Sequence, residues 1–230
     1  MVELSTEWVA LVLQLVQHEV VLLAAVGIFL LGLEDLLFDL FWLGRDRRSR
    51  RAASAPPLTG PIAIFVPAWR ERAVLPSTLD AMLSAWAGQD VRIYVGCYPN
   101  DAETIFAVSA RVATHASLRL VIGEQAGPTS KADNLNRVWR AMEADERVEG
   151  RRFAAVVLHD AEDRVHAEEI ELFRRELPGA AMVQIPVQPL LWPGQGPVAA
   201  HYADEFAEAH GKELPLRSAA AAALPAAGVG

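Results

Sequence analysis

Cysteine, lysine and glycine-rich phosphate loops are what this sequence has least of, and each scarcity removes a class of function. The single Cys97 cannot close an intramolecular disulfide, so a disulfide-stapled secreted domain is excluded and a reducing cytosolic setting fits. Acids outnumber bases by 29 to 21, for a net charge of −8, which is the wrong sign for a nucleic-acid-binding surface. No GxGxxG follows the first strand-like run, no Walker-type glycine loop leads to a lysine, and no GxSxG turn presents a serine. Dinucleotide-binding, P-loop and serine-hydrolase chemistries therefore lack their signatures. The histidines are scattered, without the helical His and Glu pairing of a zinc protease. Lysine occurs only as Lys131 and Lys212, so the place of either one carries information.

What the chain does have begins with an apolar segment. Residues 8 to 33, "WVALVLQLVQHEVVLLAAVGIFLLGL", exceed the roughly 20 largely apolar residues that a helix needs to cross a bilayer. Gln14, Gln17, His18 and Glu19 leave a buried core helix open as the competing reading. A cleaved signal peptide wants a positive n-region, whereas "MVELSTE" is acidic. Residues 34 to 43 read as an interfacial extension of the helix, with Asp35 and Asp39 on one face and Trp42 as its anchor at headgroup level. Arg45, Arg47, Arg48, Arg50 and Arg51 follow at once, and the positive-inside bias then sets the N-terminus outside and the remainder in the cytoplasm. The expected division is a membrane helix with its extension at 1–44, a basic and Pro-rich linker at 45–60, and one globular domain at 61–230.

Within that domain the signals alternate. Strand-like apolar runs at 61–69, 91–98, 118–124, 152–160 and 181–189 are separated by helical spacing at 73–88, 102–114, 131–145 and 167–177. Leu79, Met82, Leu83 and Trp86 recur at the helical period, as do Leu135, Val138, Trp139 and Met142. The alternation predicts an α/β fold: a mostly parallel sheet with helices on both faces. In such sheets ligands bind beyond the carboxyl ends of the strands, which directs attention to residues 68–72, 98–101, 124–131 and 160–163.

The fourth of these ends is the most acidic. In "VVLHDAEDRV" (156 to 165), Asp160 and Glu162 stand one residue apart, so their carboxylates can approach a common point. Hard oxygen ligands of this kind suit Mg²⁺ or Mn²⁺. Capping of the next helix, with Asp163 as the cap and the acids favoured by the helix dipole, explains the same residues as well. Lys131 opens a helix beside Asp133, Asn134 and Asn136. A lysine and free amides there form an anion site, while Ser130 or Thr129 serving as an ordinary cap is the plainer alternative. "YPND" at 98–101 has the composition of a turn.

Taken in order, "FVPAWRE", "YPNDAET", "GPTSKADNLN" and "VVLHDAEDRVHAEE" resemble the successive motifs of family 2 inverting glycosyltransferases of the GT-A fold. The likeness is to a membrane subfamily linked with bacteriophage adsorption, and it covers roughly residues 20 to 230, including "EDLLFDLFW" and "HYADEFAEAHGKELPLR". The resemblance implies that Pro67, Ala68 and Glu71 hold the nucleotide base and ribose. It puts Asp101 at the second acidic position, although "YPND" stands where most members carry an Asp-Asp-Gly-Ser-like turn. Lys131 and Asn134 match the Lys-Ala-x-Asn segment near the diphosphate. Asp160 also matches a donor-contacting position, and with Glu162 it corresponds to the metal-binding Asp-x-Asp, where glutamate replaces the second aspartate. An added methylene moves that carboxylate by roughly one bond, which a flexible divalent site tolerates.

The implied function is a membrane-anchored, hexosyl-transferring enzyme of the bacterial inner membrane. It would bind a nucleotide-sugar donor through Mg²⁺ or Mn²⁺ and invert the anomeric carbon on transfer to an acceptor that the sequence does not identify. In this family the general base lies on an acidic motif beyond the fifth strand, followed by further membrane helices. No acidic pair follows Glu213, so the expectation is a fragment that carries the donor half without the base. Asp204, Glu205 and Glu208 read as the solvated face of an amphipathic helix. The competing reading is a non-catalytic inner-membrane scaffold or phage-receptor component that retains the fold, with an outer-membrane or envelope protein as partner.

Overall fold

The structure, a computed structural model, describes residues 6–44, 55–220 and 224. The arginine cluster from Arg45 to Arg51 lies outside the described residues. The chain's contacts define two compact units. One comprises the N-terminal helix together with Gln188–Leu224, and the other the sheet with its helices, up to Val187.

The sheet unit is built around four parallel strands, β1 (Ile62–Pro67), β2 (Val91–Cys97), β3 (Leu118–Ile122) and β4 (Ala155–Leu158), in the order β3-β2-β1-β4. Ile62 pairs with both Val91 and Ala155, and Phe65 with both Tyr94 and Leu158. β1 is central and apolar on both sides, as expected of a strand covered on both faces. Its alternate residues feed two cores. Ile62, Ile64 and Val66 join Ile93 and Val95 on one face, beneath Leu75, Leu79 and Met82 of α2 (Leu75–Ala85), Val108 of α3 (Ala102–Val112), and Ile170 and Phe173 of α5 (Glu169–Glu176). Ala63, Phe65 and Tyr94 point to the other face, against Val138 and Met142 of α4 (Lys131–Glu149). Truncating a fully buried Ile64 to alanine costs about 2–5 kcal/mol.

The helices begin and end where their sequences direct. Asp101 caps α3 by accepting from Thr104 N, and Ser130 caps α4 by accepting from Asp133 N. Gly150, at φ 64°, ends α4 in the left-handed conformation that glycine adopts without steric cost. α4 runs to Glu149, four residues beyond the predicted end, because Glu146, Arg147 and Glu149 suit an exposed last turn as well as a loop.

One predicted element is absent. Residues 181–189, "AMVQIPVQP", form no strand. Val183 and Ile185 pack against the first core, but Pro186 and Pro189 lack the N–H groups that ladder pairing needs. Alternating apolar residues therefore register burial here without pairing.

The strand order contains a reversal. From β1 the chain moves outward to β2 and β3, then crosses back through α4 to β4 on β1's other side. Such a switch point opens a crevice at the carboxyl ends of the two diverging strands, here β1 and β4.

In the other unit, α1 (Thr6–Gly44) is a single 39-residue helix. Its stretch Trp8–Gly44 is long and apolar enough to cross a membrane. Its apolar side chains are exposed along most of its length, unlike those of a core helix. The helix continues unbroken through the predicted interfacial extension. There Trp42 is half-buried, Lys212 Nζ pairs with Asp39 Oδ1 at 2.6 Å and Arg217 lies over Phe38. Lys212 follows α6 (Pro197–Glu208) within a π-helical turn, Ala209–Glu213, that leads into α7 (Leu214–Ala219). Lys212 also reaches Glu208 Oε1 at 2.8 Å. Asp204, Glu205 and Glu208 are exposed.

Candidate functional site

The crevice between the ends of β1 and β4 gathers most of the polar residues singled out above. Lys131, the first residue of α4, donates from Nζ to Asp160 Oδ1 at 2.5 Å. Its side chain is 43% exposed and that of Asp160 30%, so the pair lies at the surface of the crevice. A ligand can reach both. Glu162 is exposed on the same turn. Glu71, past the end of β1, has its proton affinity raised above that of an ordinary carboxyl, first by burial and then by the charges of Glu162, Asp101 and Asp160. Glu71 therefore feels the charges of three acids from two other strand ends.

Not every acid is free to act on a ligand. Asp101 is buried, and both its oxygens are committed: Oδ1 accepts from Thr104 N at 3.3 Å and Oδ2 from Arg70 N at 2.6 Å. Arg70 has φ 60°, a conformation that costs a non-glycine residue energy and persists only when its surroundings enforce it. Asp101 supplies part of that enforcement, and Glu71 N donates to Thr104 Oγ1 at 3.1 Å. Asp101 thus shapes the loop that presents Glu71.

Asn134 is more deeply engaged. It is 3% exposed and its Nδ2 donates to Gly96 O at 3.0 Å, fastening α4 onto β2. A β-carbon at Gly96 would collide with Asn134 Oδ1, so glycine is required where helix and strand meet. Pro67 pairs with the same Gly96, and Ala68 N donates to Gly96 O at 2.9 Å while its methyl group joins the core. Ala68 is therefore left with its carbonyl alone to offer a ligand.

Asp163 does not cap α5, because Glu168 occupies the cap position and no side chain caps it. Instead Asp163 Oδ2 accepts from Asp160 N at 2.8 Å and meets His159 Nδ1 at 3.2 Å. His159 is buried, with Nε2 at 3.3 Å from Glu169 Oε2. Burial by itself lowers its pKa, but the hydrogen bond to Asp163 and then the contacts with Glu169 carry it up to about 9.

A second cluster lies at the ends of β2 and β3, where the sequence had pointed to Thr129 as a cap and to Asp133 beside Lys131 but not to their union with Tyr98 and Arg137. Tyr98 and Thr129 hydroxyls are 3.0 Å apart, Thr129 Oγ1 donates to Asp133 Oδ2 at 2.6 Å, and Arg137 pairs with Asp133. Arg137 lies over the Tyr98 ring, whose edge meets Trp69, and Arg70 lies over Trp69. The one sequence signal was the spacing of Asp133 and Arg137, four apart on a helix.

Among the described residues no three His, Cys, Asp or Glu side chains form a group able to hold a metal ion by themselves. Asp160 and Glu162 are nonetheless hard oxygen donors in a field that already raises Glu71's proton affinity. Such a pair suits a divalent cation that completes its shell with water and phosphate oxygens.

Comparison with known proteins identifies the family. The family described as "Glycosyltransferase like family 2" matches residues 57–230. Bacteriophage adsorption protein B of Escherichia coli strain K12 is 36% identical over 217 residues, covering 90% of this chain and 29% of that protein. Bacteriophage N4 adsorption protein B of Escherichia coli O157:H7 matches to the same extent. The chain thus spans less than a third of the length of these relatives.

Proposed function

Because the chain belongs to the glycosyltransferase-like family 2, we propose that it forms the donor-binding part of a membrane-anchored, inverting glycosyltransferase that takes a nucleotide-sugar with Mg²⁺ or Mn²⁺. The observation that carries this reading is the Lys131–Asp160 pair across the switch-point crevice. A cation and a carboxylate in contact there are exchangeable partners. The ammonium of Lys131 turns to the diphosphate of the donor, and the carboxylate of Asp160, with Glu162, turns to the divalent ion. When bound, that ion supplies Lewis-acid stabilisation of the charge that develops on the departing diphosphate.

The protein's own groups then divide the work. Lys131 and the first amides of α4 hold negative charge at a helix N-terminus. Glu71 and the backbone of Pro67 and Ala68 line the side of the crevice where base and ribose are held, while Asp101 keeps the Arg70–Glu71 loop in shape. Asn134 acts from below, setting α4 so that Lys131 faces the crevice. α1 crosses the bacterial inner membrane with its N-terminus outside, on the evidence of its length and the arginines that follow it.

Binding of uridine and guanosine diphosphate sugars, measured with and without Mn²⁺, tests the proposal. Metal-dependent binding that is lost in Asp160→Ala supports it, and metal-independent binding unchanged by that substitution sinks it.

The relatives' printed names favour a second reading, in which the fold serves bacteriophage adsorption as a non-catalytic membrane scaffold with an envelope protein as partner. It predicts that Asp160→Ala leaves phage adsorption intact, whereas a requirement for glycosyl transfer predicts its loss.

A further inference from the structure

The glycosyltransferase reading leaves His159 unused, although it is the histidine closest to the proposed ligands. Its two ring nitrogens face two carboxylates, Asp163 from the turn after β4 and Glu169 from the start of α5. Nδ1 lies within hydrogen-bond distance of Asp163 Oδ2 at 3.2 Å, while Nε2 faces Glu169 Oε2 at 3.3 Å without forming a hydrogen bond. Asp163 Oδ2 serves His159 Nδ1 and the Asp160 N–H together. Glu169 Oε1 accepts from His166 N at 2.5 Å, and Trp86 Nε1 donates to His166 O at 3.2 Å. His159 therefore touches both ends of the loop that carries Asp160 and Glu162. Few backbone bonds hold that loop otherwise: Asp163 N donates to Asp160 O and Glu169 N to His166 O, each at 3.2 Å.

Resting on the glycosyltransferase reading, we infer that His159 is a positioning residue for the ligand turn. It draws the carboxylate of Asp163 inward, where that carboxylate fixes the Asp160 amide, and it thereby leaves Asp160 and Glu162 as the acids presented to the donor. Asp163 is removed as a competing ligand by the same contact. Outer partners of this kind are worth roughly 10- to 100-fold in metal affinity when lost.

The test compares two double variants of the full chain in detergent, His159→Asn with Glu169→Gln and His159→Leu with Glu169→Gln. Both remove the buried His159–Glu169 contact. They differ in whether residue 159 can still donate to Asp163. Mn²⁺ affinity in the presence of uridine or guanosine diphosphate is read by electron paramagnetic resonance, and amide hydrogen exchange is followed over residues 158–166. The expected result is Mn²⁺ binding about tenfold weaker in the leucine variant than in the asparagine variant, with faster exchange confined to that loop. Equal affinity and equal exchange overturn the inference. If the leucine variant does not fold, Asp163→Ala against Asp163→Asn breaks the same link from its exposed side, with the same expected order. If the parent chain itself binds neither Mn²⁺ nor either nucleotide, the glycosyltransferase reading fails separately. The exchange comparison then decides the brace alone, with unequal loops supporting it and equal loops overturning it.

Discussion

The two ends of the same sheet are both rich in charge, but the charges are matched at the amino ends and crowded at the carboxyl ends. At the amino ends Asp145 of α4 accepts from the Tyr94 hydroxyl at 3.0 Å and pairs with Arg119 at 3.0 Å and Arg92 at 3.7 Å. Arg92 also reaches Glu149 at 2.5 Å, and Arg151 pairs with Asp90. Each of these three acids has an arginine. At the carboxyl ends Glu71 feels the charges of Glu162, Asp101 and Asp160, and Lys131 is in contact with Asp160. Matched charge has little left to offer a ligand. Unmatched charge is a standing cost to the fold that a cation and an anionic donor together can offset.

That contrast can be broken most severely at the cation. Lys131→Met removes the charge that faces both Asp160 and the donor diphosphate. A charge-assisted hydrogen bond is worth about 1.5–3 kcal/mol, so nucleotide-sugar binding weakens by roughly 10- to 100-fold in calorimetry. The urea midpoint changes little.

Asp145→Ala reverses the pattern. It strands Arg119 and leaves the Tyr94 hydroxyl without its acceptor, while Arg92 keeps Glu149. The loss of stability is about 2 kcal/mol, less than the roughly 3–5 kcal/mol of a fully buried broken pair because Arg119 reaches water. Urea denaturation reads this, while donor affinity stays at the parent value.

Glu71→Gln tests the crowding itself. A carboxyl whose folded pKa lies above its unfolded value binds more protons when folded, so stability falls as pH rises through that window. The ionised group therefore costs stability at neutral pH, and the cost vanishes below the unfolded value near 4.5. The glutamine variant gains on the order of 0.5 kcal/mol at pH 7, since the group is largely solvated. The gain closes as pH falls toward 4, which thermal melts across that range measure.

The smallest effect is expected at Cys97, the last residue of β2 but turned into the core. Burial, then the charge of Asp101, pushes its thiol up to about 12. Maleimide labels it only as fast as the sheet unit unfolds, and fast labelling of the native chain contradicts the placement.

Several of these residues were legible before any coordinates. Apolar runs and helical patterns located all four strands and the helices between them, because burial on both faces leaves a strand continuously apolar and burial on one face of a helix leaves its period in the chain. Lys131, Asp160, Glu162 and Glu71 were found as polar residues at strand ends. The absent fifth strand was misread because Val183 and Ile185 alternate like a strand but only pack. Asp163 was misread as a cap, and the hold of Asn134 on Gly96 was not foreseen, because an amide or carboxylate has the same appearance in sequence whether it meets a ligand, a glycine carbonyl or a histidine. Tyr98, Arg137 and the His159–Glu169 contact were missed because their partners lie distant in the chain or on another element.

The sequence by itself determined the alternation of strands and helices, the apolar N-terminal helix and the strand ends at which chemistry is found, since all of these are set by local pattern and chain order. Only the tertiary structure decided which acids are spent and which are left over. Asp101 and Asp163 are consumed by backbone N–H groups, Asp145 by arginines, and Asp160 meets a lysine 29 residues away across the crevice. Hydrogen-bond capacity is allotted by proximity in space, and proximity follows from how the strands are ordered in the sheet.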